Sequence, residues 1–217
     1  MQQPPATRAE RSRDLDRFLT LVDAVVAIAI TLLVLPLVDV AGELRGPGAD
    51  PSVTHLLHEH QPQLWAFLLS FAVIANLWFT QHHVVRPVVV HDPVVTRLML
   101  VWLLAIVFLP FPTALVAERG GQAATKILYI GTMTVSSVVM GLMAQRTRAV
   151  PAIRDGEPTD PIGSWVVALV FAVALVLTLA VPATGYYPLL LLVLAGPVAR
   201  GWRRLRGGGG STGRVGD

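Results

Sequence analysis

The chain has no cysteine. Disulfides and thiolate metal sites are therefore excluded. Charge is scarce as well. Asp, Glu, Lys and Arg make up 14% of the 217 residues, against about 25% in soluble domains. Lysine is nearly missing: Lys126 stands alone beside 16 arginines, a mark of a GC-rich bacterial coding sequence. No Walker A, GxSxG or HExxH motif occurs, and no paired aspartates lie in the apolar segments. The expectation is a protein that is not an enzyme, has no cofactor and binds no nucleic acid. The polar, arginine-containing start leads into an apolar run too long for an h-region, without a small-residue cleavage site. A signal peptide is not expected.

What is abundant is apolar surface. Hydrophobic residues are 53% of the chain and fall in blocks of bilayer length. Six blocks read as membrane spans: 17–38, 63–82, 93–116, 123–144, 162–181 and 187–201. The fold class is thus an all-α membrane protein with six transmembrane helices per subunit. Residues 1–16 read as a mobile cytoplasmic arm, 17–202 as the six-helix domain and 203–217 as a flexible tail. Between the first two spans, a Gly- and Asp-rich loop leads to Asp50–Pro51. This pair predicts a helix start, with Asp50 as cap and Pro51 in the first turn, and the helix that follows is amphipathic and too polar to span.

Six spans put both termini on one side. Arginine and lysine then divide 14 to 3 between the terminal side and the opposite side, where Arg45, Arg119 and Lys126 lie. The positive-inside rule places both termini in the cytoplasm of a multi-pass protein.

The first span carries the most information. Its 21 residues from Phe18 to Val38 make about 30 Å of helix. Asp23 lies about one turn inside, where a carboxylate is costly and usually has a partner or a function. At about 100° per residue, Leu21, Ala24, Ile28, Leu32, Leu35 and Asp39 form one stripe. Asp23 sits nearly behind that stripe, which favours a structural role over ion binding. Arg17 is six residues earlier, about 240° around the helix, so a direct pair with Asp23 is not expected. Taken alone, the aliphatic stripe fits a lipid-facing or core surface better than a pore wall.

These residues carry a resemblance. Arg17, Asp23 and the run AIAITLLVL at 27–35 resemble the first helix of the transmembrane protein 175 family, the lysosomal potassium channels and their prokaryotic homologues. LLSF at 68–71, His82–His83 and LPFPTAL at 109–115 add to it. The Phe and Ser of the family's Arg-x-x-x-Phe-Ser-Asp are replaced here by Leu21 and Val22. The family's tryptophan, three residues before the first histidine, is Phe79 here, with Trp78 one residue off.

The resemblance implies a homotetramer in the bacterial plasma membrane, with first helices around a central pore. It implies a potassium-preferring cation channel, passing K+ and other monovalent cations, with Ile28, Leu32 and Leu35 facing the pore and Thr31 beside the first constriction. Asp39 then lies at the outer mouth. Arg17, Asp23, His82 and His83 form a structural network, with Asp23 pairing to His82 or His83. The alternative is a secondary transporter that couples ions or protons through Asp23 and the two histidines.

Other clusters carry less. Adjacent residues point about 100° apart, so His82 and His83 do not readily grip one metal. His55, His58, Glu59 and His60 are better spaced, but an exposed amphipathic turn accounts for them. Thr184-Gly185-Tyr186-Tyr187 lacks a second glycine and a preceding half-helix, and is rejected as a carbonyl filter.

Overall fold

The computed structural model describes residues 8–43, 52–157 and 160–181. Within them the chain is helical: α1 Arg8–Leu32, α2 Leu35–Glu43, α3 Val53–Glu59, α4 Gln61–Val85, α5 Pro93–Phe108, α6 Pro110–Arg119, α7 Ala123–Ala149 and α8 Ile162–Ala180. Five segments are long and apolar enough to cross a membrane: Arg13–Gly42, Gln61–Val85, Pro93–Arg119, Ala123–Ala149 and Ile162–Ala180. These match the first five expected spans. The expected sixth, 187–201, lies outside the described residues, as do the 203–217 tail and the turn at 184–187.

Prolines set the breaks. The first span is split into α1 and α2 ahead of Pro36, and the third into α5 and α6 at Leu109, ahead of Pro110 and Pro112. Two local expectations are corrected. The first helix begins at Arg8, inside the stretch read as an arm. The amphipathic helix begins at Val53, not at Pro51, and its cap is Ser52, whose hydroxyl accepts from the His55 N–H at 3.4 Å. Asp50 and Pro51 lie outside the described residues.

α7 is the central helix. More than half of its apolar window is buried, and it packs most extensively on α8 and α5. Tyr129, Ile130, Met133, Met140 and Met143 of α7 meet Trp102 and Ile106 of α5 and Phe171 of α8 in one core. Gly141 sets the spacing to α8. A Cβ there would stand 2.8 Å from Cε2 of Trp165. Small residues of this kind let membrane helices approach.

Two loops at one end of the bundle are stitched together. Val89 and Val90 N–H donate to Ile153 O at 2.9 and 3.3 Å, and Asp155 N–H donates to Pro87 O at 2.9 Å. Asp92 completes the seam. Its Oδ1 caps α5 by accepting from Val94 and Val95 N–H at 3.0 and 2.9 Å. Its Oδ2 accepts from Arg146 Nη2 at 2.9 Å, tying α5 to the end of α7. The Arg146 hydrogen bond, aided by the backbone donors, holds the Asp92 carboxyl below its usual range.

Gly141→Ala is expected to force Trp165 out of place and destabilise the subunit by about 1–3 kcal/mol, read as a lower melting temperature in detergent. The Asp92 pair predicts a pH window. A carboxyl lowered on folding stabilises above its unfolded value, near pH 4, and loses that stabilisation as pH falls through the lowered value. Melting of wild type and Asp92→Asn should therefore differ at neutral pH and converge in strong acid.

Candidate functional site

α1 has two faces with opposite fates. Val22, Val26, Ala29 and Leu33 recur every three or four residues and are buried against the core. The expected stripe is the other face. Leu21, Ile28 and Leu35 are 55, 57 and 53% exposed and Leu32 is 38% exposed, with Ala24 and Asp39 open as well. The subunit therefore leaves uncovered the side of α1 on which the sequence places the aliphatic positions. Thr31 is also exposed, and its hydroxyl donates to Ile28 O at 2.7 Å, which leaves its oxygen lone pairs outward. Such back-bonding satisfies a hydroxyl within an apolar segment.

Asp23 sits at the boundary between the faces. Trp78 Nε1 donates to its Oδ1 at 3.0 Å, and His82 Nε2 lies 3.6 Å from the same oxygen. Trp78 and His82 are four apart on α4, so they share a face, and their rings meet with centroids 4.4 Å apart. α1 and α4 run in opposite directions, which brings the start of one to the end of the other. The structure thus brings together Asp23 and His82. It does not bring in His83, which is turned about 100° away and has Nδ1 2.7 Å from Phe79 O. Arg17 is exposed, and among the described residues no bond joins it to Asp23.

Trp78, one residue from the family's tryptophan position, is a partner that the family pattern does not single out. The missed signal is spacing: four residues before a histidine shares its face as well as three does.

Beside this contact lies a cavity of about 400 Å³, bordered by Asp23, Gln81, His82, His83 and Arg86. Gln81 is buried and donates to Met99 Sδ at 3.4 Å.

Two short motifs from distant parts of the chain meet deeper in the bundle. Ser70, from LLSF, has its hydroxyl 2.9 Å from that of Thr113, from LPFPTAL, and 2.8 Å from the hydroxyl of Tyr129. All three are buried. This hydroxyl cluster ties α4 to α6 and α7 in place of three unmet polar groups. Lys126 is likewise buried and donates to Thr178 O at 3.4 Å, at the last turn of α8.

Around α3, His55 lies 3.7 Å from Glu59 and His58 Nδ1 lies 3.3 Å from Gln61 Nε2, on an exposed surface. Among the described residues no three His, Cys, Asp or Glu side chains converge as metal ligands would.

Trp78→Phe keeps the ring and removes the donor. Asp23 then relies on His82 alone, and a loss of about 1–2 kcal/mol is expected, measured as a lower melting temperature at unchanged helix content.

Comparison with known proteins bears on the same segment. The family model described as the endosomal/lysosomal potassium channel TMEM175 matches residues 17–110. A potassium channel of Streptomyces collinus is 31% identical over 125 residues, covering 57% of this chain and 57% of the relative. A potassium channel of Chamaesiphon minutus is 38% identical over 100 residues, covering 44% of this chain and 46% of the relative. The chain thus spans about half the length of the curated relatives it matches. No solved structure matches. Over residues 17–110, which carry both sides of the Asp23 contact, the chain matches the TMEM175 family model.

Proposed function

We propose that this chain is the subunit of a potassium-preferring cation channel that conducts passively through a pore walled by copies of α1. The observation that carries this reading is the uncovered aliphatic face of α1, set against a buried opposite face. One copy of a helix cannot encircle a pore, so the subunit acts as a homo-oligomer, a tetramer by family resemblance. The two relatives are named potassium channels, which supports K+ as the permeant ion.

In this reading Ile28, Leu32 and Leu35 form an aliphatic constriction, which passes ions when wetted and closes by dewetting. Thr31 offers oxygen beside it, and Asp39 gathers cations at the outer mouth. The contact of Asp23 with Trp78 and His82 holds α1 at a fixed rotation, so that the stripe faces the pore. Arg17 and His83 stand at the cytoplasmic end of this arrangement. Both termini lie in the cytoplasm on the arginine asymmetry, and the membrane is the bacterial plasma membrane by family resemblance.

A second reading rests on a separate observation. The Asp23–His82 contact at 3.6 Å borders a cavity, the kind of pair that relays protons in a coupled transporter.

Potassium flux into liposomes separates the two. A channel moves K+ rapidly without any coupling gradient, and Leu32→Ala or Ile28→Asn raises the flux or weakens discrimination among monovalent cations. Unchanged flux in both variants removes these residues from the pore. Flux that saturates and requires a proton gradient makes the protein a transporter, with Asp23 in its site.

A further inference from the structure

The span Arg13–Gly42 is a broken helix, and the break falls among the stripe residues. The α ladder stops at Leu32. Leu33 and Val34 N–H reach back only three residues, to Ile30 O at 3.2 Å and Thr31 O at 3.3 Å. The cause is Pro36, which has no N–H for the carbonyl of Leu32 four residues earlier and whose ring crowds it. The next donor, Leu37 N–H, goes to Val34 O at 3.0 Å instead of to Leu33 O. Two successive carbonyls, of Leu32 and Leu33, have therefore lost their α-ladder donors.

At membrane depth that loss has to be met. Freed backbone carbonyls do not face lipid; they are buried in protein or line water. A helical carbonyl points along the axis, over residues three and four positions ahead. The Leu32 carbonyl thus lies over Leu35 and Pro36. Leu35 is 53% exposed, and Thr31, Leu32 and Val34 around the break are open as well. The subunit itself does not cover this surface.

We propose that the freed Leu32 carbonyl oxygen at the Pro36 break, repeated in each copy of the subunit, is a ligand for a partly dehydrated monovalent cation, at a level between Leu32 and Leu35. This inference rests on the reading that α1 walls the pore. It adds a chemistry that the stripe lacks. Aliphatic side chains exclude water but offer nothing in its place, whereas carbonyl dipoles replace a hydration shell without a fixed charge. Uncharged oxygens of this kind suit a singly charged ion. Copies of α1 around one axis repeat the Leu32 carbonyl at a single level, next to the exposed hydroxyl of Thr31.

The test uses the full-length protein in liposomes, with the K+ to Na+ flux ratio as the readout. Pro36→Ala restores an N–H opposite the Leu32 carbonyl and is expected to lower the ratio about fivefold, the scale of one net hydrogen bond, with oligomer size unchanged. Pro36→Gly restores the same N–H and gives the same result if the alanine variant assembles poorly. A companion variant, Ile28→Cys, places the sole thiol in a cysteine-free chain. Its block by a charged thiol reagent reports on the pore wall independently. Block at position 28 with a lowered ratio in the Pro36 variants supports the carbonyl site. Block at position 28 with an unchanged ratio overturns the carbonyl site and leaves the pore reading standing. No block at position 28 removes the pore wall and the carbonyl site with it.

Discussion

A carboxylate inside a membrane-length helix has to be answered, and the answer decides how that helix sits. Asp23 is met by Trp78 and His82, both on one face of α4. That contact fixes the rotation of α1 about its own axis. With Asp23 turned toward α4, Val22, Val26, Ala29 and Leu33 face the core, and Leu21, Ile28, Leu32 and Leu35 face away. A helix with aliphatic residues on all sides has no strong preference of its own for which side to bury in lipid. One polar contact, worth about 1–3 kcal/mol when a charged group is involved, supplies the preference.

The same demand for satisfied polar groups recurs through the bundle. Thr20, Thr31, Thr80, Thr113, Thr132, Thr134 and Thr147 return their hydroxyl hydrogens to carbonyls three or four residues back. Ser70, Thr113 and Tyr129 meet one another across three helices. Lys126 reaches a carbonyl at the end of α8, where a cation also suits the helix dipole. Proline acts in the opposite sense. It removes donors, and the first and third spans break just ahead of prolines.

The spans were legible because bilayer thickness dictates their length, and length needs no knowledge of neighbours. The stripe on α1 was legible for a related reason: helical periodicity assigns faces from spacing alone. The identity of the Asp23 partner was only half legible. The sequence offers His82 and His83 alike, and places Trp78 one residue away from the family's tryptophan position. The start of α3 was misplaced by two residues because Ser52 and Asp50 are both good caps, and local preference does not choose between them. The meeting of Ser70 with Thr113 could not be read at all, since the two lie 43 residues apart.

By itself, then, the sequence determined the class of protein, the approximate positions of the first five spans, and which residues of α1 share a face. Composition, length and helical repeat are local quantities, and they suffice for this. Only the tertiary structure decided which face of α1 is covered, which donor meets Asp23, and how motifs at 68–71 and 109–115 come into contact. Each of those outcomes depends on the angle at which one helix packs on another. That angle is set by small residues such as Gly141 against Trp165, and by buried polar pairs, whose partners are neighbours only after the chain has folded.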